Sequence, residues 1–305
     1  MMDMDQAERL RKLVNDKQAS IQNQQFVEIN NSNRNIEHKA RIIAISSGKG
    51  GVGKTNITVN LAIALSMQGQ RVLIIDADLG MANVDVVLGT SSKYNLLKLL
   101  EDEISIEDVI VNGPCGVKYL SGGSGIEQLA NLGYSDLDKV MRKLNGCEDF
   151  ADIILLDTGA GIGNNVLNFL RAADEVILVT TPEPTAMTDA YAIMKAYSNS
   201  PNCDTVKLIV NRVYEAGEVL PVFSKLSKTA SKFLNLTVIA FGEIYEDRNL
   251  VRAVKAQVPL ILLYPNTISV KGIKNIAKNI ISGEVEKQAR GFKGFVHKFM
   301  SFLRQ

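Results

Sequence analysis

The sequence predicts a doubly wound α/β domain with a mainly parallel sheet. Three observations predict it. Short apolar runs recur between stretches of helical periodicity, a glycine-rich turn joins the first run to the first helix, and acidic residues stand where later runs end. Apolar runs such as Ile153-Ile154-Leu155-Leu156 and Val176-Ile177-Leu178-Val179 suit strands buried on both faces of a parallel sheet.

Taken in order, residues 2–14 read as a short helix, the first segment being 1–14. Residues 15–40 form a polar linker, because Gln22-Asn23-Gln24-Gln25 and Asn30-Asn31-Ser32-Asn33 offer too little apolar surface to offset chain entropy. The main domain spans 41–283, with strands expected at 41–46, 71–76, 116–120, 152–157, 175–180, 206–210 and 236–242. Helices are expected at 56–67 and 190–197. The last segment, 284–305, is an amphipathic helix: Phe292, Phe295, Val296, Phe299, Phe302 and Leu303 recur at three- and four-residue spacing. Lys287, Arg290, Lys293, His297, Lys298 and Arg304 fall largely between them, and no acid follows Lys287.

The composition sets limits. With 305 residues and 46% hydrophobic content, the chain holds one large domain with appendages. A net charge of +1 gives no general case for nucleic acid. Cys115, Cys147 and Cys203 lack C-x-x-C spacing, so neither a zinc site nor a disulfide framework is indicated. No apolar run reaches the roughly 18 residues that span a bilayer, and Asp3 and Asp5 do not suit a secretory leader. A cytoplasmic location follows as an expectation.

Residues Gly48-Lys49-Gly50-Gly51-Val52-Gly53-Lys54-Thr55 follow an apolar strand and open a helix at Asn56. That context makes a phosphate-binding loop: backbone N–H groups cradle phosphate, Lys54 reaches the terminal phosphates, and the Thr55 hydroxyl suits Mg²⁺. Lys49 is a second lysine at the front of the loop. Downstream, the strand Ile153-Ile154-Leu155-Leu156 ends in Asp157, a second ligand for the Mg²⁺ shell, followed by glycines at 159, 161 and 163 that permit loop movement. No Asn-Lys-x-Asp or Thr-Lys-x-Asp guanine reader occurs, which favours ATP over GTP.

Lys49-Gly50-Gly51 resembles the signature of the MinD/ParA deviant Walker A ATPases, and the resemblance runs from about residue 41 to about 283. It implies a slow ATPase with ATP and Mg²⁺ as cofactors, in which Lys49 reaches the nucleotide of a second copy and ATP assembles a homodimer. By the same resemblance Asp78 positions the attacking water, Asp76 belongs to the metal's surroundings, and Asn83 responds to the γ-phosphate. Asn211, after the strand at 206–210, is placed against adenine, and the turn Tyr264-Pro265-Asn266 closes that pocket. The Thr181–Asp189 segment resembles the family's Pro-Glu loop beside the dimer interface, with Asp189 where relatives engage regulatory partners; in the plainer reading the prolines start a helix.

The two ends narrow the resemblance. The C-terminal helix is similar to the membrane-targeting helix of MinD-type proteins, with Phe292, Phe295, Phe299 and Phe302 as its membrane face toward anionic lipid. Such a stripe also suits core packing, and both states can alternate: docked in the monomer, released when ATP drives dimerisation. Asp5, Gln6, Ala7, Leu10 and Arg11 match the Asp-Gln-Ala-x-x-Leu-Arg element of the FlhG group, regulators of flagellar number and placement. That implies an FlhF-type GTPase as partner, stimulated by the first helix, with flagellar switch-complex proteins as further partners and a peripheral position on the cytoplasmic face of the membrane. A division-site MinD would lack the first helix and linker. A ParA-type DNA segregation protein would want a basic surface that +1 does not supply. Iron–sulfur relatives need cysteines flanking the nucleotide switches, and kinase relatives need a tyrosine-rich tail; neither is present.

Overall fold

A computed structural model describes residues 39–78, 83–122, 133–201, 203–283 and 291–303. The first helix, nearly all of the linker, Leu79–Ala82 and residues 284–290 lie outside the described residues.

The described elements are β1 (Arg41–Ser47), α1 (Lys54–Ser66), β2 (Val72–Ala77), α2 (Val84–Leu88), α3 (Ile106–Val109), β3 (Val111–Asn112), β4 (Lys118–Ser121), α4 (Tyr134–Leu144), β5 (Ile153–Ala160), α5 (Asn164–Ala172), β6 (Glu175–Thr180), α6 (Pro184–Ser198), β7 (Thr205–Val213), α7 (Val219–Leu234), β8 (Thr237–Tyr245), α8 (Arg248–Lys255), α9 (Leu260–Leu263), α10 (Ile268–Ser282) and α11 (Gly291–Leu303). Short 3₁₀ turns link several of them.

One eight-stranded sheet runs β3-β4-β2-β5-β1-β6-β7-β8. Every pairing is parallel except β3 with β4. Alternate side chains enter two separate cores, as the period of two in a strand requires. Ile42 and Ala44 join the core covered by α4, α5, α6, α7 and α11. Ile43 and Ile45 join the core covered by α1, α2, α8, α9 and α10. The order reverses around β1, so the ends of β2, β5 and β1 meet in one crevice, where doubly wound sheets bind ligands.

The sequence expectation differs from the structure mainly at element ends. The strand expected at 116–120 begins at Lys118, because Pro114-Cys115-Gly116 forms a turn with Cys115 and Gly116 at φ 56 and 79. Strands β5, β7 and β8 continue past their apolar runs to Ala160, Val213 and Tyr245, since ladder pairing extends into their polar ends. Helix α6 starts at Pro184 instead of 190, its first turn using proline's fixed φ. Two-residue β3 is too short to leave a period in the sequence.

Candidate nucleotide site

The loop between β1 and α1 builds an anion cradle from backbone alone. Gly53 precedes the helix at φ 97, and no side chain caps the first turn, so the leading N–H groups of α1 stay available to phosphate. A Cβ on Gly50 or Gly51 would meet nothing within 4 Å, so the front of the loop is open. At the back, Gly48 lies against α6: a Cβ there would stand 2.1 Å from the Asp189 carbonyl. Lys54 is buried beneath the loop, and Thr55 follows it in the first turn.

Asp76 and Asp157 are paired neighbours at the carboxyl ends of β2 and β5. Burial pushes both carboxyls up. For Asp76 the charge of Asp157 adds to the effect and the result is about 7, despite N–H donation from Val84, Asp78 and Asn83. Those three bonds, at 3.1, 3.2 and 3.0 Å, tie together the residues on either side of Leu79–Ala82. For Asp157, burial outweighs Lys54 and the hydroxyls of Thr55 and Thr58, all of which favour its charged form. The Thr58 hydroxyl lies 3.0 Å from Asp157 Oδ1, a partner that sequence reading missed because it sits one turn into α1.

The donor set of Thr55, Asp76 and Asp157 is all oxygen, which suits Mg²⁺. No cluster of three or more His, Cys, Asp or Glu that would hold an ion alone occurs among the described residues. Mg²⁺ needs no such cage, because it takes one or two carboxylates and completes its shell with phosphate and water. Asp78 is half-buried, and its Oδ1 stands 3.5 Å from where a Cβ on Gly159 would lie, at the mouth of the same crevice.

Lys49 does not reach into its own cradle. Its Nζ donates to Glu183 at 2.9 Å and to the Thr185 hydroxyl at 3.0 Å. The pair is exposed at 39% and 55% and holds the Glu183 carboxyl below its usual range. Thr181–Asp189 thus lies beside the loop, but the lysine contact was not legible from sequence, where Glu183 and Lys49 stand 134 residues apart.

A cleft beyond the loop is lined by Gly53, Asn56, Asn211, Tyr245, Glu246 and Leu250, among others. Asn211, the residue expected to face adenine, is one of its lining residues. Pro265 is not among the lining residues and its carbonyl instead accepts from Lys274. One wall of this cleft is the loop after β8, which the sheet carries directly to the end of β7. Asn60, also unforeseen, ties this side together by donating to the Asn56 carbonyl and accepting from the Ile261 N–H.

Helix α11 docks on the sheet's first core. Phe292, Phe295 and Phe299 are buried, and Phe299 stacks on Phe169 of α5 at 4.3 Å between ring centroids. Phe302 is half-buried, with the Arg171 guanidinium 6.0 Å from its ring. Glu148 accepts the Phe292 N–H, and Lys298 donates to the Arg171 carbonyl. Lys293 and His297 remain exposed. Asp5, Gln6, Ala7, Leu10 and Arg11 lie outside the described residues.

A family profile described as an AAA domain matches residues 40–200. The chain is 36% identical over 258 residues to the antiactivator FleN of Pseudomonas aeruginosa, covering 85% of this chain and 92% of FleN. It is 37% identical over 269 residues to the flagellum site-determining protein YlxH of Helicobacter pylori, covering 86% and 90%. Among solved structures, MinD complexed with Mg-ADP from Pyrococcus horikoshii superposes with a TM-score of 0.61 at 27% identity, covering 82% of this chain and all of that one. Sequence and site agree: the chain belongs to the FlhG group of the MinD/ParA ATPases.

Proposed function

We propose that this ATPase is a dimerising switch in flagellar number and placement. ATP and Mg²⁺ fill the crevice, two copies close over the nucleotide, and the closed dimer binds the cytoplasmic face of the membrane and stimulates an FlhF-type GTPase through residues 1–14. The names of FleN and YlxH support the flagellar reading. The Mg-ADP complex of the Pyrococcus protein supports the cofactors.

The observation that carries the switch is Lys49. Its ammonium rests on an exposed carboxylate and a hydroxyl at the open front of the loop. Exposed pairs of this kind contribute little to stability, so a second copy's triphosphate outcompetes Glu183 for the cation. A cation set against phosphate also stabilises the charge that develops on hydrolysis. In this chain Thr55, Asp76 and Asp157 hold the Mg²⁺ shell, Lys54 neutralises the phosphates, and Asp78 orients water at the crevice mouth.

Lys49→Ala should remain monomeric in light scattering with a non-hydrolysable ATP analogue, while the wild-type chain doubles in mass. Normal dimers of the variant would remove Lys49 from the switch.

A further inference from the structure

The base cleft and the phosphate loop are joined by one side chain. Asn211 Nδ2 donates to the Val52 carbonyl at 2.6 Å, across 159 residues of sequence. The same nitrogen occupies the space a side chain at Gly53 would need, 2.5 Å from the ideal Cβ position. Asn211 and Val52 are 5% and 4% exposed, so the bond is shielded from water. Losing it strands a buried carbonyl, which costs more than the bond itself is worth.

Asn211 lies near the end of β7, still paired with Ile244 of β8. The parallel ladder of β7 and β8 is irregular between Asn211 and Val213. Arg212 takes φ 56, a conformation unfavourable for a side chain other than glycine, asparagine or aspartate. Bulges beside functional sites commonly re-aim a side chain, and here the neighbouring side chain meets the loop.

We propose that Asn211 is a positioning residue for the phosphate loop. Its amide holds the Val52 carbonyl and fixes the Gly53 turn, which aims the first N–H groups of α1 at phosphate. This rests on the ATP reading above and goes beyond contact with adenine. The amide divides the two tasks: its NH₂ group serves the loop, while Oδ1 keeps acceptor capacity for the amino group of a base.

That division makes the inference testable with a ligand that has no base. The full chain, Asn211→Asp and Asn211→Ala are titrated by calorimetry with magnesium ATP and with magnesium tripolyphosphate. Asn211→Asp keeps the shape and the acceptor oxygen but loses the donor. Both variants should bind tripolyphosphate about tenfold more weakly than the wild type, and ATP at least as much more weakly. Wild-type tripolyphosphate affinity in the variants overturns the proposal even if ATP binding falls, because base contact alone would then explain the loss. Circular dichroism separates loss of the site from loss of the fold, and Asn211→Leu, a neutral isostere that lacks the donor and adds no charge beside the phosphates, keeps the test decisive if the Ala variant does not fold. A wild-type chain that binds neither ligand would overturn the ATP reading instead, which is a different result.

Discussion

Three aspartates stand at the ends of β2 and β5, and they differ in burial. Asp76 and Asp157 are almost wholly enclosed, and burial disfavours their charged forms, so they suit a cation in the crevice. Asp78 is half-buried beside Gly159, and on the function proposed above it is the carboxylate that orients water. Asp78→Ala should therefore lower ATP turnover by about a hundredfold with little change in nucleotide affinity, because positioning supplies much of the catalysis in phosphoryl transfer. Equal turnover in wild type and variant would free Asp78 of that role. The acids at strand ends were legible in the sequence, but their unequal burial was not, since it depends on strands that are distant in the chain. At the opposite end of the strands, burial alone would raise the Glu175 carboxyl, but Arg41 and Lys207 more than offset it and hold it below its usual 4.5. A depressed carboxylate stabilises the fold above its unfolded value, and that contribution is lost as pH falls through the folded value. Glu175→Gln should cost about 3 kcal/mol near pH 7, by leaving two cations poorly paired. The gap from wild type should narrow as pH falls below 4.5 and through the lower folded value in denaturant titrations, and a gap independent of pH would contradict the pairing.

Among the elements, α11 shows how one periodicity supports two environments. Its phenylalanine stripe and basic flank were legible as amphipathic, but spacing alone does not distinguish a core from a lipid face. The structure places the stripe against Phe169 and leaves Lys293 and His297 outside. Burying three phenylalanines at roughly 2 kcal/mol each is a substantial hold. The proposed membrane binding therefore requires an event that competes with this docking, such as a dimer whose two released helices supply avidity that a single helix lacks. Deletion of residues 287–305 should abolish cosedimentation with anionic vesicles in the presence of ATP. Undiminished sedimentation would place membrane contact elsewhere. Helix α6 carries a similar lesson. Its prolines marked a helix start, yet its contact with Gly48 and the position of Glu183 beside Lys49 emerge only when β1 and β6 lie side by side.

For the whole molecule, the parallel sheet gathers loops from the chain's first and last thirds at one edge. On the function proposed above, the switch is read out through the two terminal segments. A peptide of residues 1–14 should stimulate GTP hydrolysis by an FlhF-type partner severalfold, and no stimulation would favour a division-site role. The strand at 175–180 was legible to the residue because the continuous apolar run Val176-Ile177-Leu178-Val179, mostly β-branched, is bounded by Glu175 and Thr180. The phosphate loop was legible because all its chemistry lies in eight consecutive residues. The cleft beside Asn211 was not, because its walls come from Gly53 and Asn56 on one side and the end of β8 on the other. The sequence by itself determined the fold class, the loop, the acids at the strand ends and the amphipathic terminus, since each is written in local spacing. Only the tertiary structure decided that Lys49 rests on Glu183, that Asn211 grips Val52 and that the phenylalanines are docked. Those contacts join residues more than a hundred positions apart, and strand order and burial set them, neither of which a local pattern encodes.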